Sequence, residues 1–156
     1  QTRGVRVRRC ETRLSRNPAL AGIKHLNRLE QVLARTEWTD PDIADGVMFD
    51  TADQVIEGTM TNLFLVHGGE IHTPDLSHCG VAGTMRALVM DIAREQGIPV
   101  SERPLRWSDL ERARGLFLTN AVVGLWPVRE LDGRSLDPDA LPGPLVAAVR
   151  QRGFAP

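Results

Sequence analysis

Two short apolar runs, residues 62–66 and 70–73, are parted by only His67-Gly68-Gly69. A gap that short, with two adjacent glycines, turns the chain straight back on itself as an antiparallel hairpin. Pro74 ends the second run. Other strand-length segments surround this hairpin. Val5 and Val7 alternate with Arg6 and Arg8 in a half-buried pattern that runs through Thr12. Residues 46–50, 55–56, 98–100, 116–119 and 122–128 also read as strands, the last two interrupted near Asn120. Residues 39–45 are polar and read as a connector.

Helical spacing occurs in three places. Leu26, Leu29, Val32 and Leu33 recur up to Arg35, and Leu145, Val146 and Val149 mark a final helix. The strongest pattern runs from Gly83 or Thr84 to Gln96, with Met85, Leu88, Val89, Ile92 and Ala93 on one face and Gly97 placed to cap its end. Ser108 is expected to cap a short acidic helix over 109–112. Strands and helices mix without regular alternation, so the pattern predicts an α+β domain with a mixed, barrel-like sheet and flanking helices.

A chain of 156 residues suits one domain, 1–156, with a sizeable core. No apolar run approaches the roughly 18 residues of a membrane span. The net charge is -1, and arginines are scattered among 20 acids, which gives nucleic-acid binding little support. Cys10 and Cys79 are expected to be reduced thiols of a cytoplasmic protein. His67, His72 and His78 straddle the hairpin and lack the spacing of a metal pair, so no metal site is expected. The chain starts with Gln1 and is already strand-like at Val5, which predicts a fragment lacking its original N-terminus.

Lys24 is the only lysine among 19 basic residues. Arginine can replace lysine as a surface charge but not as an amine nucleophile. Lys24 follows a Gly22-containing loop at the start of a helical pattern, where partial burial would favour its neutral form. Glu57 stands between Ile56 and Gly58, either on the polar face of an edge strand or as partner to a buried positive group. Gly80-Val81-Ala82-Gly83-Thr84 leads into the strongest helix, an entry suited to a phosphate. An amine, a carboxylate and a phosphate cradle together match the needs of pyridoxal phosphate.

Four segments carry a resemblance. Residues 20–33, LAGIKHLNRLEQVL, resemble the lysine segment of 4-amino-4-deoxychorismate lyases. Residues 57–64, EGTMTNLF, resemble the glutamate segment of the wider aminotransferase class IV family. Residues 80–86 resemble its phosphate loop. Thr119-Asn120-Ala121, with Trp126-Pro127-Val128, resembles its last cofactor-contacting turn. The resemblance covers nearly the whole chain. It implies the larger, C-terminal domain of a D-amino-acid aminotransferase-like fold, with the smaller N-terminal domain absent.

By the same resemblance, pyridoxal 5'-phosphate is the cofactor. Lys24 joins its aldehyde and then shuttles a proton, and Glu57 pairs with its pyridine nitrogen. The backbone of Thr84 and Met85, with Asn120, holds its phosphate. The implied reaction converts 4-amino-4-deoxychorismate to 4-aminobenzoate and pyruvate in folate biosynthesis, in a homodimer. Two rivals stand beside it. One is a class IV aminotransferase for D- or branched-chain amino acids; the other is an inactive fragment or partner-binding domain. The tyrosine that aminotransferases place shortly after the lysine corresponds here to Leu29, and the chain contains no tyrosine.

Overall fold

The computed structural model describes residues 4–154. In chain order the elements are β1 (Val5–Leu14), α1 (Leu29–Arg35), β2 (Ile43–Asp50), β3 (Val55–Gly58), β4 (Asn62–His67) and β5 (Glu70–Pro74). They continue with α2 (Thr84–Glu95), β6 (Val100–Arg103), α3 (Trp107–Arg112), β7 (Gly115–Asn120), β8 (Gly124–Leu131), β9 (Arg134–Ser135) and α4 (Gly143–Gln151).

One sheet contains every strand, in the order β3-β2-β1-β8-β7-β4-β5-β6, with β9 against β8. The pairings β1 with β2, β1 with β8, and β5 with β6 are parallel; the others are antiparallel. The sheet curls until its ends meet, where Val55 N–H donates to Leu105 O at 2.8 Å. This is the mixed, barrel-like sheet with flanking helices that the sequence pattern predicts.

The hairpin forms as expected, with Gly68 and Gly69 both at positive φ, the conformation a tight turn between twisted strands requires. Side chains on the inside of the curl, including Phe49, Leu63, Leu65, Leu116 and Leu118, form one buried cluster. On the outer face α2 and α4 pack Met85, Val89, Ile92, Leu145 and Val149 against Phe64 and Phe117, whose rings stack with centroids 4.9 Å apart. Gly97, at φ +67°, ends α2 as its place in the sequence suggests.

Several boundaries differ from expectation. Strand β2 begins at Ile43, inside the stretch that reads as a polar connector, because Asp45 is buried and its charge satisfied. Strand β6 begins at Val100 rather than Ile98. Helix α3 begins at Trp107, and its cap is Asp109, which accepts from Arg106 N–H at 2.8 Å; Ser108 lies inside the helix.

The largest difference is α1. It begins at Leu29, and its buried residues are Gln31 and Ala34. The apolar set Leu26, Leu29, Val32 and Leu33 faces outward, and Leu26 is 100% exposed. The helix therefore turns only Ala34 and Gln31 inward, Ala34 into an apolar cluster, and carries an apolar stripe on its outer surface.

Close packing of β1, β2 and the loop after α1 depends on Gly46. A Cβ there would overlap Cys10 Sγ and press on the Trp38 ring at 3.0 Å. Gly46→Ala is expected to destabilise the fold by about 1–3 kcal/mol through overpacking. Chemical denaturation of the variant beside the parent would measure it; equal midpoints would refute the packing account.

Candidate active site

The loop between β5 and α2 passes through residues 80–83 as a strap that touches three other segments. Gly22 N–H donates to Gly80 O at 2.9 Å, and Ala82 N–H donates to Gly22 O at 3.0 Å. Val81 N–H donates to Glu57 Oε2 at 2.8 Å. Asn62 closes the arrangement: its Oδ1 accepts from Gly83 N–H at 3.1 Å, and its Nδ2 donates to Val81 O at 2.8 Å. Small residues are needed at both ends. A Cβ on Gly83 would overlap Asn62 Oδ1, and one on Gly80 would crowd Ile56 at 2.6 Å. Gly80 also has φ +87°.

The strap thereby gathers the lysine loop, the glutamate strand and the entry to α2. Lys24 lies two residues beyond the Gly22 anchor, on irregular chain before α1, and is exposed. The partial burial expected for it is not supplied by the described residues: the loop is anchored on either side, at Gly22 and through Arg28 toward Glu57, while Lys24 itself stays exposed. Thr84 is exposed at the first position of α2, and Met85 is buried behind it. As first-turn residues, neither has an intrahelical acceptor for its N–H, and no side chain caps this end. Asn120 ends β7; its Oδ1 accepts from Val122 and Val123 N–H, both at 2.9 Å, and its Nδ2 donates to Met60 O at 3.3 Å. Its side chain thus ties the turn after β7 to the turn after β3.

Glu57 is 2% exposed. Oε2 accepts from Val81, whereas Oε1 is buried without a hydrogen bond. The nearest cation is Arg28, with Nη2 3.9 Å from Oε1, too far for a hydrogen bond. Burial pushes the carboxyl up to about 7, against the opposing pull of Val81 N–H, Arg28 and Gln31; Asp45 adds to the rise. A buried acceptor left open, on a group poised near neutrality, suits a ligand that brings a protonated ring nitrogen.

Behind Glu57 lies a second buried carboxylate, Asp45. Its Oδ1 accepts from Gly46 N–H at 2.8 Å and from Thr59 N–H and Oγ1 at 2.9 and 2.5 Å. Its Oδ2 accepts from Thr61 Oγ1 at 2.7 Å. These bonds fix the turn at residues 58–61, between Glu57 and Asn62. Asp45, Asn62 and Gln31 were not singled out by the sequence reading. The available signal was the polar turn Gly58-Thr59-Met60-Thr61, which must find acceptors if Glu57 is buried.

A cavity of about 150 Å³ opens beside the site, lined in part by Leu14, Asn17, His25, Arg28, Gln31 and Cys79. Lys24, Glu57 and Thr84 do not line it. Leu29, read as the tyrosine-equivalent position, faces away from Glu57 on the outer surface, and Arg28 is the residue that reaches toward that carboxylate. Burial pushes both the Cys10 and Cys79 thiols up to about 12, so each stays protonated near neutrality. Both are free cysteines. Among the described residues no group of three or more His, Cys, Asp or Glu is placed to hold a metal ion. Among the described residues no helix is long and apolar enough to cross a membrane.

A family model described as amino-transferase class IV matches residues 2–131. Aminodeoxychorismate lyase of Vibrio harveyi is 42% identical over 128 residues, covering 82% of this chain and 47% of the relative. A putative branched-chain-amino-acid aminotransferase of Methanocaldococcus jannaschii is 36% identical over 121 residues, covering 78% of this chain and 41% of the relative. The crystal structure of 4-amino-4-deoxychorismate lyase from Pseudomonas aeruginosa superposes with a TM-score of 0.87 at 45% identity. It covers 96% of this chain and 54% of that one. The chain thus spans about half the length of the relatives it matches.

The unpaired Glu57 oxygen makes stability depend on pH. Its folded-state value of about 7 lies above the ordinary 4.5. The contribution is therefore fully present below about 4.5 and is lost as pH rises through about 7. In the cofactor-free chain, Glu57→Gln is expected to flatten the fall in melting temperature across that interval. Parallel slopes for parent and variant would show that Glu57 is ionised throughout.

Proposed function

The chain belongs to the class IV aminotransferase family, and from that membership we propose that it is the larger, C-terminal part of a pyridoxal-phosphate lyase. The reaction is cleavage of 4-amino-4-deoxychorismate to 4-aminobenzoate and pyruvate, a step of folate biosynthesis, in the cytoplasm. One observation carries the reading. A single strap binds the lysine loop, the buried glutamate and the entry to α2 at one place. Identity to the named lyases, 42% and 45%, exceeds that to the first aminotransferase relative, 36%, which favours the lyase over transamination.

The residues present fit the cofactor. Glu57 Oε1 is a buried acceptor without a donor, as a ring nitrogen carrying a proton requires. The N–H groups of Thr84 and Met85 open the 12-residue helix α2, whose N-terminal dipole favours a phosphate. When bound, pyridoxal phosphate supplies an electron sink that makes the C–H beside the substrate's amine acidic. Glu57 would hold the ring nitrogen's proton in place. Asn120, through Met60 and the turn after β7, would keep the phosphate side of the site in register with Glu57. Lys24 would link to the cofactor at rest. Its amine, once released, would take the proton from the substrate carbon that bears nitrogen. Loss of that proton would let the ring C–O bond break and the ring become aromatic, with the electron pair leaving on enolpyruvate, which takes up a proton at its CH2 carbon to become pyruvate.

The remaining half of the relatives' length would supply the smaller N-terminal domain, and the intact enzyme would be a homodimer. The outward stripe of Ile23, Leu26, Leu29, Val32 and Leu33 supports further packing at this face. We assign the stripe to the second copy. Leu26→Arg combined with Val32→Arg is expected to halve the mass measured by light scattering of the intact protein. A dimeric variant would remove this assignment.

Lys24 tests the chemistry directly, since these 156 residues hold no other lysine. Adding pyridoxal phosphate is expected to give a yellow absorbance band that Lys24→Ala abolishes. Release of 4-aminobenzoate should fall at least about a hundredfold in that variant. Normal release by Lys24→Ala would sink the proposal, and keto-acid-dependent amino transfer by the parent would replace it with the aminotransferase.

A further inference from the structure

Helix α2 begins against the preference of its own dipole. A helix start favours acidic side chains and disfavours cations. Yet the first turn of α2 holds no acidic residue and places Arg86 at its third position. Arg86 is also buried, at 6% exposed, where arginine is seldom found unless its charge is paired. An apolar side chain would suit both the helix start and its packing better. A residue that breaks two local preferences at once marks a place with another demand on it.

The contacts of Arg86 show what that demand is. Nη2 donates to Pro74 O at 2.9 Å and pairs with Glu102 of β6, and Nε donates to Thr73 Oγ1 at 3.3 Å. Pro74 ends β5 and Arg86 lies in the first turn of α2, so one guanidinium joins the two ends of the loop of residues 75–83. Thr73 passes the tie on, because its Oγ1 donates to Leu63 O at 2.9 Å. Leu63 follows Asn62, whose amide holds Val81 and Gly83. The neck of the loop and the strap within it are thus fastened to the same stretch of β4. A lysine could not make these bonds together, since one ammonium lacks the spread between Nε and Nη2.

We propose that Arg86 is a positioning residue for the cofactor's phosphate: it closes the neck of the loop before α2 and so fixes the N–H groups of Thr84 and Met85. The inference rests on the cofactor reading above and adds what holds that end of the site in place. The Arg86 guanidinium is committed to β5 and β6, so it acts on the phosphate through the backbone of the helix start.

The test compares pyridoxal phosphate with pyridoxal, which has the same aldehyde and ring but no phosphate. Each is titrated into the protein and followed by the yellow band that Lys24→Ala removes. Arg86→Met keeps most of the volume and removes the guanidinium. Its dissociation constant for pyridoxal phosphate is expected to rise at least about tenfold, the scale of one hydrogen bond to a charged group, while that for pyridoxal stays at the parent's value. Without cofactor, amide hydrogen exchange at Val81 and Gly83 should quicken in the same variant. If Arg86→Met does not fold, Arg86→Lys, which keeps the charge and loses the fork, is expected to show a smaller loss with the same selectivity. Equal loss of both ligands would reduce Arg86 to general stability, and no loss of either would leave it without a role; each result overturns the proposal. A parent that shows no band with either ligand, with exchange still quickened in Arg86→Met, would overturn the cofactor reading and the phosphate role with it, and leave the loop closure standing.

Discussion

The bond from Val81 N–H to Glu57 Oε2 is the point on which the rest of the site depends. It joins a strap with no regular secondary structure of its own to a strand buried on all sides. The flanking bonds, Gly22 to Gly80 and Ala82, and Asn62 to Val81 and Gly83, have their geometry because Val81 is held there. Each such bond contributes only about 1 kcal/mol net. Their effect is geometric: three segments far apart in sequence share one rigid reference. Side chains at Gly80 or Gly83 would break it by bulk alone.

Two buried carboxylates stand back to back around this point, and they are handled oppositely. Asp45 accepts four hydrogen bonds and is fully satisfied, so it locks the turn of residues 58–61. Glu57 accepts one from the strap and is left with an open oxygen, so its charge is poised rather than locked. Locking and poising need each other. The open carboxylate keeps its aim only because the turn that follows it cannot move.

Much of the scaffold was legible in the sequence because it follows from local rules. The Gly68-Gly69 hairpin, α2 with Gly97 at its end, and the curl of a mixed sheet all rest on periodicity and turn chemistry. Lys24, Glu57 and the helix entry at residues 80–84 could be named from residue type and neighbours, whereas Asn120 was named through the family resemblance alone. What could not be read were features whose cause lies elsewhere in the chain. The apolar spacing of α1 looks like a core face, yet it points outward. An apolar stripe reports only that something covers it, not whether this domain does. Asp45 looked like part of a polar connector because its four donors come from Gly46, Thr59 and Thr61, two of them across the sheet.

The sheet order sets a timetable for biosynthesis. Strand β1, which leads into the lysine loop, leaves the ribosome well before one of its two neighbours, β8, where Val5 pairs with Val128. At roughly 5–20 residues per second, the chain waits on the order of ten seconds before that edge can close. Through the wait β1 presents unpaired backbone to the crowded cell, an invitation to stray strand pairing. Four arginines of β1, at positions 6, 8, 9 and 13, and the flanking Arg16 put charge along this strand, the kind of pattern that discourages such pairing. In the finished protein the same arginines are taken up by other partners: Arg6 pairs with Asp40 and Glu130, Arg8 with Glu37, Arg13 with Asp53, Arg16 with Asp50, and Arg9 lies over the Phe49 and Trp107 rings.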